Sequence, residues 1–440
     1  MRKSALTLRN EEKLLVLIAD EAMRPEAHEG RSCVEAAALL AEPFDWPLFM
    51  RLAACHNHAA AACAALKNFA LLEKTPSNVR AALEKEHVLS QARFLKKEHE
   101  LLAIVNGLES AGIFPIVIKG IPLAYLLYRN PGVRVSKDID ILVPKPDVQA
   151  AENVLLEIGY SLYEGVHTAA DYSAYHFHHV FCLGARQDSV IELHWDLLSP
   201  MMTHYTFNAA ALRERAIPVR IGNASVLTPE LPHAFWHMGI HASYRSFLAF
   251  RSLVEMKGMS RRFAPAQWEE VFSWSTRCNT DREIAMAINL CESLCGDILD
   301  ASLRSKARLG RSAKLFILST FYPRALMWEW LPFAATHELV IALYMKRGFA
   351  AKMKYLIRLV VPDRAARFGL YFKYRGDGVF DRMCLHLNGF YVLLKTAFLT
   401  IFMGFLIRSG IIGERRLDPA RNAGRETSED AAARVPVSPR

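Results

Sequence analysis

Lys137-Asp138-Ile139-Asp140-Ile141-Leu142-Val143 is the stretch whose reading decides the fold. Acids and isoleucines alternate from Asp138 to Ile141, which predicts a β-strand over 138–143, closed by Pro144 and Pro146. Successive strand side chains leave opposite faces, so Asp138 and Asp140 share one face while Ile139 and Ile141 point into a core. Two carboxylates side by side repel each other, and a hard cation between them relieves the repulsion. Oxygen ligands suit Mg²⁺ or Mn²⁺, and Mg²⁺ is commonly held by one or two carboxylates together with substrate phosphates. Such ions serve phosphoryl and nucleotidyl transfer by activating a hydroxyl and steadying the leaving group.

Working outward, Phe114-Pro115-Ile116-Val117-Ile118 is a short apolar, β-branched run that predicts a strand, ending in a turn at Lys119-Gly120. A short helix follows over 121–129 and stops at Asn130-Pro131-Gly132. Residues 147–159 predict an amphipathic helix with a glycine stop, and 180–183 and 189–195 predict two strands joined around 184–188. In the second of these, Glu192 alternates with Ile191 and Leu193 and shares a face with His194. Glu192 is the expected third metal-side carboxylate, or the base that takes the proton of an attacking hydroxyl; Asp196 is the alternative. Backbone N–H groups at the Lys119-Gly120 turn can cradle phosphates, and the lysine can reach one directly. Arg134 is placed to pair with a phosphate or with Asp138. A strand DxD alone is common as a structural feature, and it is the combination with Glu192 and the Lys-Gly turn that makes it specific.

The 440 residues suggest two or three domains, and a 52% hydrophobic content excludes disorder for most of the chain. The expected organisation is a helical region over 1–110, an α/β catalytic core over 111–225, a basic helical region over 226–385, an apolar helix over 386–412 and a disordered tail over 413–440. The fold class is therefore α+β, a mixed sheet embedded between helical regions. Between Arg304 and Arg375 fifteen Lys and Arg face three acids, +12 in one stretch against +9 for the whole chain. That charge favours a phosphate-bearing partner or an anionic membrane surface over sequence-specific nucleic acid, for which no stacking code is visible. The eight cysteines show no metal-type spacing and demand no oxidising compartment. The N-terminal apolar run over 14–19 is too short and too charged at its flanks for a signal peptide. The expected location is the cytoplasm. Gly389 to Ile407, broken by Lys395, reads as a buried or surface-bound helix more readily than as a span, and is the candidate for peripheral membrane association. His176-Phe177-His178-His179 lacks a fixed third ligand for zinc, and His233, His237 and His241 at helical spacing read as a core or acceptor-lining stripe.

The combination Ile118-Lys119-Gly120, Leu123-Ala124, Tyr128, Gly132-Val133-Arg134, Asp138-Ile139-Asp140-Ile141-Leu142-Val143, Gly159-Tyr160 and Glu192-Leu193-His194-Trp195 resembles a bacterial family of nucleotidyltransferases within the DNA polymerase β-like superfamily. Asp45-Trp46 and Leu52-Ala53 before it, and Tyr355 to Leu359 with Pro362 after it, look similar too. The resemblance implies a divalent metal and transfer of a nucleoside monophosphate from an NTP to a hydroxyl acceptor on a small molecule, saccharide or peptide. It implies Asp138 and Asp140 as the metal pair and Glu192 as the third acid. It departs at the first turn, where the superfamily carries Gly-Ser or Gly-Gly and this chain carries Lys119-Gly120-Ile121. Two other readings stand beside it: a metal-dependent glycosyltransferase whose DxD binds a nucleotide sugar, and an inactive, membrane-associated assembly factor.

Overall fold

The computed structural model describes residues 8–24, 30–163, 176–184, 189–198, 205–244, 249–310, 343, 345–346, 348–360 and 394. The chain divides into two compact units, 1–331 and 332–440.

The first unit is built around a five-stranded mixed sheet in the order β1-β2-β5-β4-β3. The strands are β1 (Ile116–Val117), β2 (Asp138–Leu142), β3 (Tyr160–Leu162), β4 (His178–Leu183) and β5 (Ser189–His194). β2 and β5 run parallel in the middle, with Asp138 opposite Val190, Asp140 opposite Glu192 and Leu142 opposite His194. β1 is antiparallel to β2, β4 to β5 and β3 to β4. The two strands expected over 180–183 and 189–195 are thus a hairpin, and β3 is an edge strand that the sequence reading did not contain.

Alternation sets the two faces of the sheet. Ile139 and Ile141 of β2 and Ile191 and Leu193 of β5 are fully or almost fully buried in one hydrophobic core. That core also takes Phe94, Leu101, Ile104, Val105 and Leu108 of the long helix α5 (Ser77–Ser110). Ala151 and Leu155 of α7 (Val148–Glu157) close the same layer. The opposite face of β2 and β5 carries Asp138, Asp140, Glu192 and His194. Burying the isoleucines therefore presents the acids as a set, and a one-residue slip of either strand would reverse both faces.

The N-terminal helices before α5 are α1 (Asn10–Glu21), α2 (Arg31–Ala41), α3 (Trp46–Cys55) and α4 (Ala59–Asn68). Asp45 caps α3 by accepting from the Leu48 N–H at 2.8 Å, with Pro47 in the first turn. After the sheet a hairpin of β6 (Ala216–Ile221) and β7 (Ala224–Pro229), not expected from the sequence, precedes the helices, which begin at Leu231. Its two-residue loop is Gly222-Asn223, with Gly222 at φ +58°. The Thr228 hydroxyl donates to the Val117 carbonyl at 2.7 Å and ties this hairpin to the end of β1. Helices α9 (Leu231–Tyr244), α10 (Phe250–Ser260), α11 (Pro265–Arg277) and α12 (Asp281–Cys295) then pack round Phe235, Trp236, Leu253, Trp268 and Ile288, all buried; α8 is the short Ala209–Arg213 helix before β6.

α10 is the element that fastens the outer helices to the sheet. Its Glu255, wholly buried, accepts from Arg134 through Nε at 2.7 Å and Nη2 at 3.2 Å. The Tyr128 hydroxyl donates to the same carboxylate at 2.9 Å. Arg251 donates to the Val135 carbonyl, and Arg262 to the carbonyls of Met23 and Leu127. The bonds to Tyr128, Arg134 and Val135 grip the segment between α6 (Ile121–Leu127) and β2 from outside. Beside them His58, buried against the Phe250 ring at 5.1 Å, bonds through Nδ1 to the His56 carbonyl at 2.6 Å. Its imidazole pKa is lowered to about 3, first by burial and then by the charge of Arg251.

In the second unit, α13 (Gly348–Val360) is described, with the Lys346 ammonium 5.3 Å from the centre of the Tyr355 ring. Among the described residues no helix is long and apolar enough to cross a membrane. The apolar run over 389–407 lies outside the described residues apart from Leu394, as does most of the basic stretch over 304–375. No disulfide joins the described cysteines.

Removing one partner of a buried charge pair leaves the other uncompensated. Glu255→Ala is expected to cost about 3–5 kcal/mol of stability, read by urea denaturation, and Arg134→Met in the same background to recover part of it. A loss within about 0.5 kcal/mol, the range of an ordinary surface substitution, would show that the pair does not hold α10 to the sheet. The depressed pKa of His58 sets a pH dependence of known sign. The folded state refuses a proton that the unfolded chain accepts near its ordinary 6.5, so the His58 contribution is complete above pH 6.5 and is lost as pH falls towards about 3. The urea midpoint of His58→Gln should therefore fall less steeply than that of the wild type between pH 7 and pH 4; parallel slopes would contradict this.

Candidate active site

The site lies on the open face of β2 and β5. The parallel register sets Asp140 directly across from Glu192, with Asp138 two residues before Asp140 and His194 two residues after Glu192. The Asp138 side chain is 32% exposed at the rim, whereas that of Asp140 is 2% exposed at the floor. His194 Nε2 sits between the two inner carboxylates, 3.4 Å from Asp140 Oδ1 and 3.3 Å from Glu192 Oε2. Ligand atoms of Asp140, Glu192 and His194 all lie within 4.8 Å of one another, a spacing that fits one metal ion.

Lys119 reaches the same acids from the other side. β1 pairs with β2, and the Ile118 N–H donates to the Asp140 carbonyl at 3.0 Å, so the chain leaves β1 directly beside the acidic pair. Gly120 then turns it with φ +83°, a conformation that side chains with a Cβ rarely adopt. An added Cβ there would sit 3.4 Å from the Ser136 hydroxyl oxygen, so the turn also packs close to the segment that enters β2. The Lys119 ammonium lies 3.4 Å from Asp138 Oδ2 and 3.2 Å from Asp140 Oδ1. Lys119 and Gly120 thus stand beside the acids, as the sequence suggested, with the ammonium held by the acids themselves.

The charges tune one another. Burial raises the Asp140 pKa to about 6, helped by the neighbouring charges of Asp138 and Glu192 and opposed by Lys119 and the His194 hydrogen bond. Burial acts the same way on Asp138, but the Lys119 charge outweighs it and holds that carboxyl below its ordinary value. Glu192 is held well below the carboxylate range despite burial, by the His194 bond and the charges of His178, Lys119 and His194. His194 is raised: the two carboxylates overcome the burial that works against its charge. Three acids and two basic groups in one small volume form a mutually compensated set.

Two atoms of the set remain uncompensated. Asp140 Oδ2 is buried and has no hydrogen-bond partner, and His194 Nδ1 is in the same position. A buried carboxylate oxygen left without a partner costs on the order of 1–3 kcal/mol or more. Such an atom on a cluster of oxygen and imidazole donors is what a cation-binding site requires, so the residues present fit a divalent ion.

Other sequence candidates fall elsewhere. Arg134 bonds Glu255 through two of its nitrogens, outside the acidic set, although the charge of Asp138 still acts on it. Asp196 accepts from the N–H groups of Leu197 and Leu198 at 2.7 and 3.0 Å and so shapes its own turn. Lys137 is exposed. His233 is fully buried, 3.2 Å from Glu270 and edge-on to Trp274, a core position. His178 packs on His194 with ring centres 4.9 Å apart, which brings one member of the 176–179 histidine run beside the site. Glu255 was not singled out from the sequence, and His194 was noted there only for its strand face. Glu255 stands 121 residues from its partner Arg134 and carried no local signal. His194 had a signal, its shared strand face with Glu192, but its bridging place depends on the parallel pairing.

Comparison with known proteins follows the same line. No curated protein matches the chain. Among solved structures, a crystal structure of ANT(2")-Ia in complex with adenylyl-2"-tobramycin aligns with 41% of this chain and 98% of its own, at 13% identity and a TM-score of 0.31. A solution structure of the antibiotic-resistance factor ANT(2'')-Ia aligns with 42% and 93%, at 12% identity and a TM-score of 0.29. Likenesses this distant carry nothing about substrate. The model of a family described as uncharacterised nucleotidyltransferase matches residues 42–296, a segment that contains the whole acidic site and most of the helices around it. With more than half of its length matched, the chain belongs to this uncharacterised nucleotidyltransferase family.

Proposed function

We propose that the protein is a Mg²⁺- or Mn²⁺-dependent nucleotidyltransferase that moves a nucleoside monophosphate from an NTP to a hydroxyl on a small molecule, saccharide or peptide. The observation that carries this reading is the buried, unpartnered Oδ2 of Asp140, directly across the parallel pairing from Glu192. Asp140, Glu192 and His194, whose ligand atoms lie within 4.8 Å of one another, would hold the ion in the protein alone, and Asp138, the remaining carboxylate of the set, would join them when the nucleotide binds. When bound, the ion supplies positive charge that draws electron density from the α-phosphate and steadies the leaving group.

The chain's own residues do the rest. Asp138, at the rim, is the acid exposed enough to meet an incoming triphosphate. Lys119 and Gly120 stand beside it and close the site on the β1 side. Arg134 takes a positioning role, because its bonds to Glu255 hold the segment that leads into Asp138. In the transfer, the acceptor oxygen bonds to the α-phosphorus, the bond between that phosphorus and the bridging oxygen to the β-phosphate breaks, and pyrophosphate leaves. The hydroxyl proton passes to one of the site's carboxylates.

The reading is tested without knowledge of the acceptor. Isothermal titration of each Mg-NTP into the wild type should show binding of at least one nucleotide. Asp138→Ala with Asp140→Ala should weaken it at least tenfold, about 1.4 kcal/mol, and so should chelation of the metal. Equal binding by the variant, or no binding by the wild type, would count against the proposal.

A further inference from the structure

We propose that Lys119 is a built-in counter-cation which occupies the bridging position between Asp138 and Asp140, so that the protein alone takes one divalent ion, at Asp140, Glu192 and His194, rather than two. This rests on the reading of the acids as a metal site, and it adds the number of ions and their placement.

The geometry divides the acidic face into two positions. In the first, one oxygen of Asp138 and one of Asp140 face a common point, and the Lys119 ammonium is there, 3.4 and 3.2 Å from them. The lysine is delivered by the fold: β1 ends against β2, and the positive-φ turn at Gly120 takes the chain away immediately afterwards. Its side chain is 13% exposed, so little solvent competes for the ammonium. In the second position Glu192 and His194 bring their ligand atoms within 4.8 Å of Asp140, with His194 Nε2 3.4 Å from the same Oδ1 that Lys119 reaches, while Oδ2 of Asp140 has no hydrogen-bond partner. The two positions meet at Asp140, whose Oδ1 faces both.

Charge counting agrees with this division. Asp138, Asp140 and Glu192 carry three negative charges when ionised. The Lys119 ammonium supplies one positive charge and a single divalent ion two, which balances the set. A second divalent ion at the Asp138–Asp140 position would need to displace an ammonium already held by two carboxylates, and would leave the site with net positive charge until a triphosphate arrived. Like charges in a part-buried site repel strongly, so the first arrangement is favoured in the absence of nucleotide.

The test is the stoichiometry of Mn²⁺ on the full chain, read from the electron paramagnetic resonance signal of free Mn²⁺ during titration, with the metal alone as probe. The wild type should bind one ion. Lys119→Met should bind two, because the bridging position is vacated, and Lys119→Arg, which keeps the positive charge, should remain at one. Two ions on the wild type, lost in Asp140→Asn, would overturn the inference about Lys119 while leaving the acids as a metal site. A single ion on both wild type and Lys119→Met would overturn it equally. No ion on the wild type would overturn the metal-site reading and this inference together.

Discussion

The parallel pairing of β2 with β5 is the constraint on which the rest of the site depends. The isoleucines and leucine of the two strands are buried against α5 and α7, and that burial fixes which way the alternate residues face. The register, Asp140 across from Glu192, then brings together carboxylates more than fifty residues apart in the chain. Burial of apolar side chains is worth roughly 1.5–3 kcal/mol each. The four core residues Ile139, Ile141, Ile191 and Leu193 thus offset the repulsion of a clustered acidic face, which no local propensity would assemble.

The compensation is arranged in layers. Lys119 and His194 stand within hydrogen-bonding or ion-pairing reach of the acids. A second layer, Glu255 with Arg134 and Tyr128, holds the chain that enters β2. A buried ion pair contributes little net stability over an apolar pair of the same shape, and its value lies in geometry. Here the geometry is the placement of residues 134–138, the segment that leads into the first acid of β2. The helices on either side of the sheet therefore have a function beyond their own packing, because α10 supplies both Glu255 and Arg251 to that segment.

Much of this was legible in the sequence, and the boundary between what was and was not has a physical origin. The strand at Asp138, the strand at Glu192, the inward isoleucines and the Lys-Gly turn all follow from period-two alternation and turn chemistry, which are local. The α+β class followed from the order of those elements. The β6–β7 hairpin carried a signal that went unread: Val219 and Ile221 alternate with polar residues, and Gly222-Asn223 is a hairpin turn pair. Pro218 within the first strand masks it, since proline argues against a central strand and is tolerated only at an edge. Glu255, by contrast, lay beyond local reading. A glutamate on an amphipathic helix looks solvated until tertiary packing buries it against an arginine from another element. The role of Lys119 fell between the two: its position was visible, but whether it met phosphate or carboxylate depended on the strand pairing.

The central claim is that the carboxylates of β2 and β5 hold the ion that works on the nucleotide. Anomalous scattering from crystals soaked with Mn²⁺ and α,β-methylene-ATP tests it most directly. The account predicts a Mn²⁺ peak in contact with Asp140 and Glu192, with an α-phosphate oxygen in its coordination shell. Nucleotide bound with no anomalous density at these carboxylates, or with the ion at a different set of residues, would contradict it.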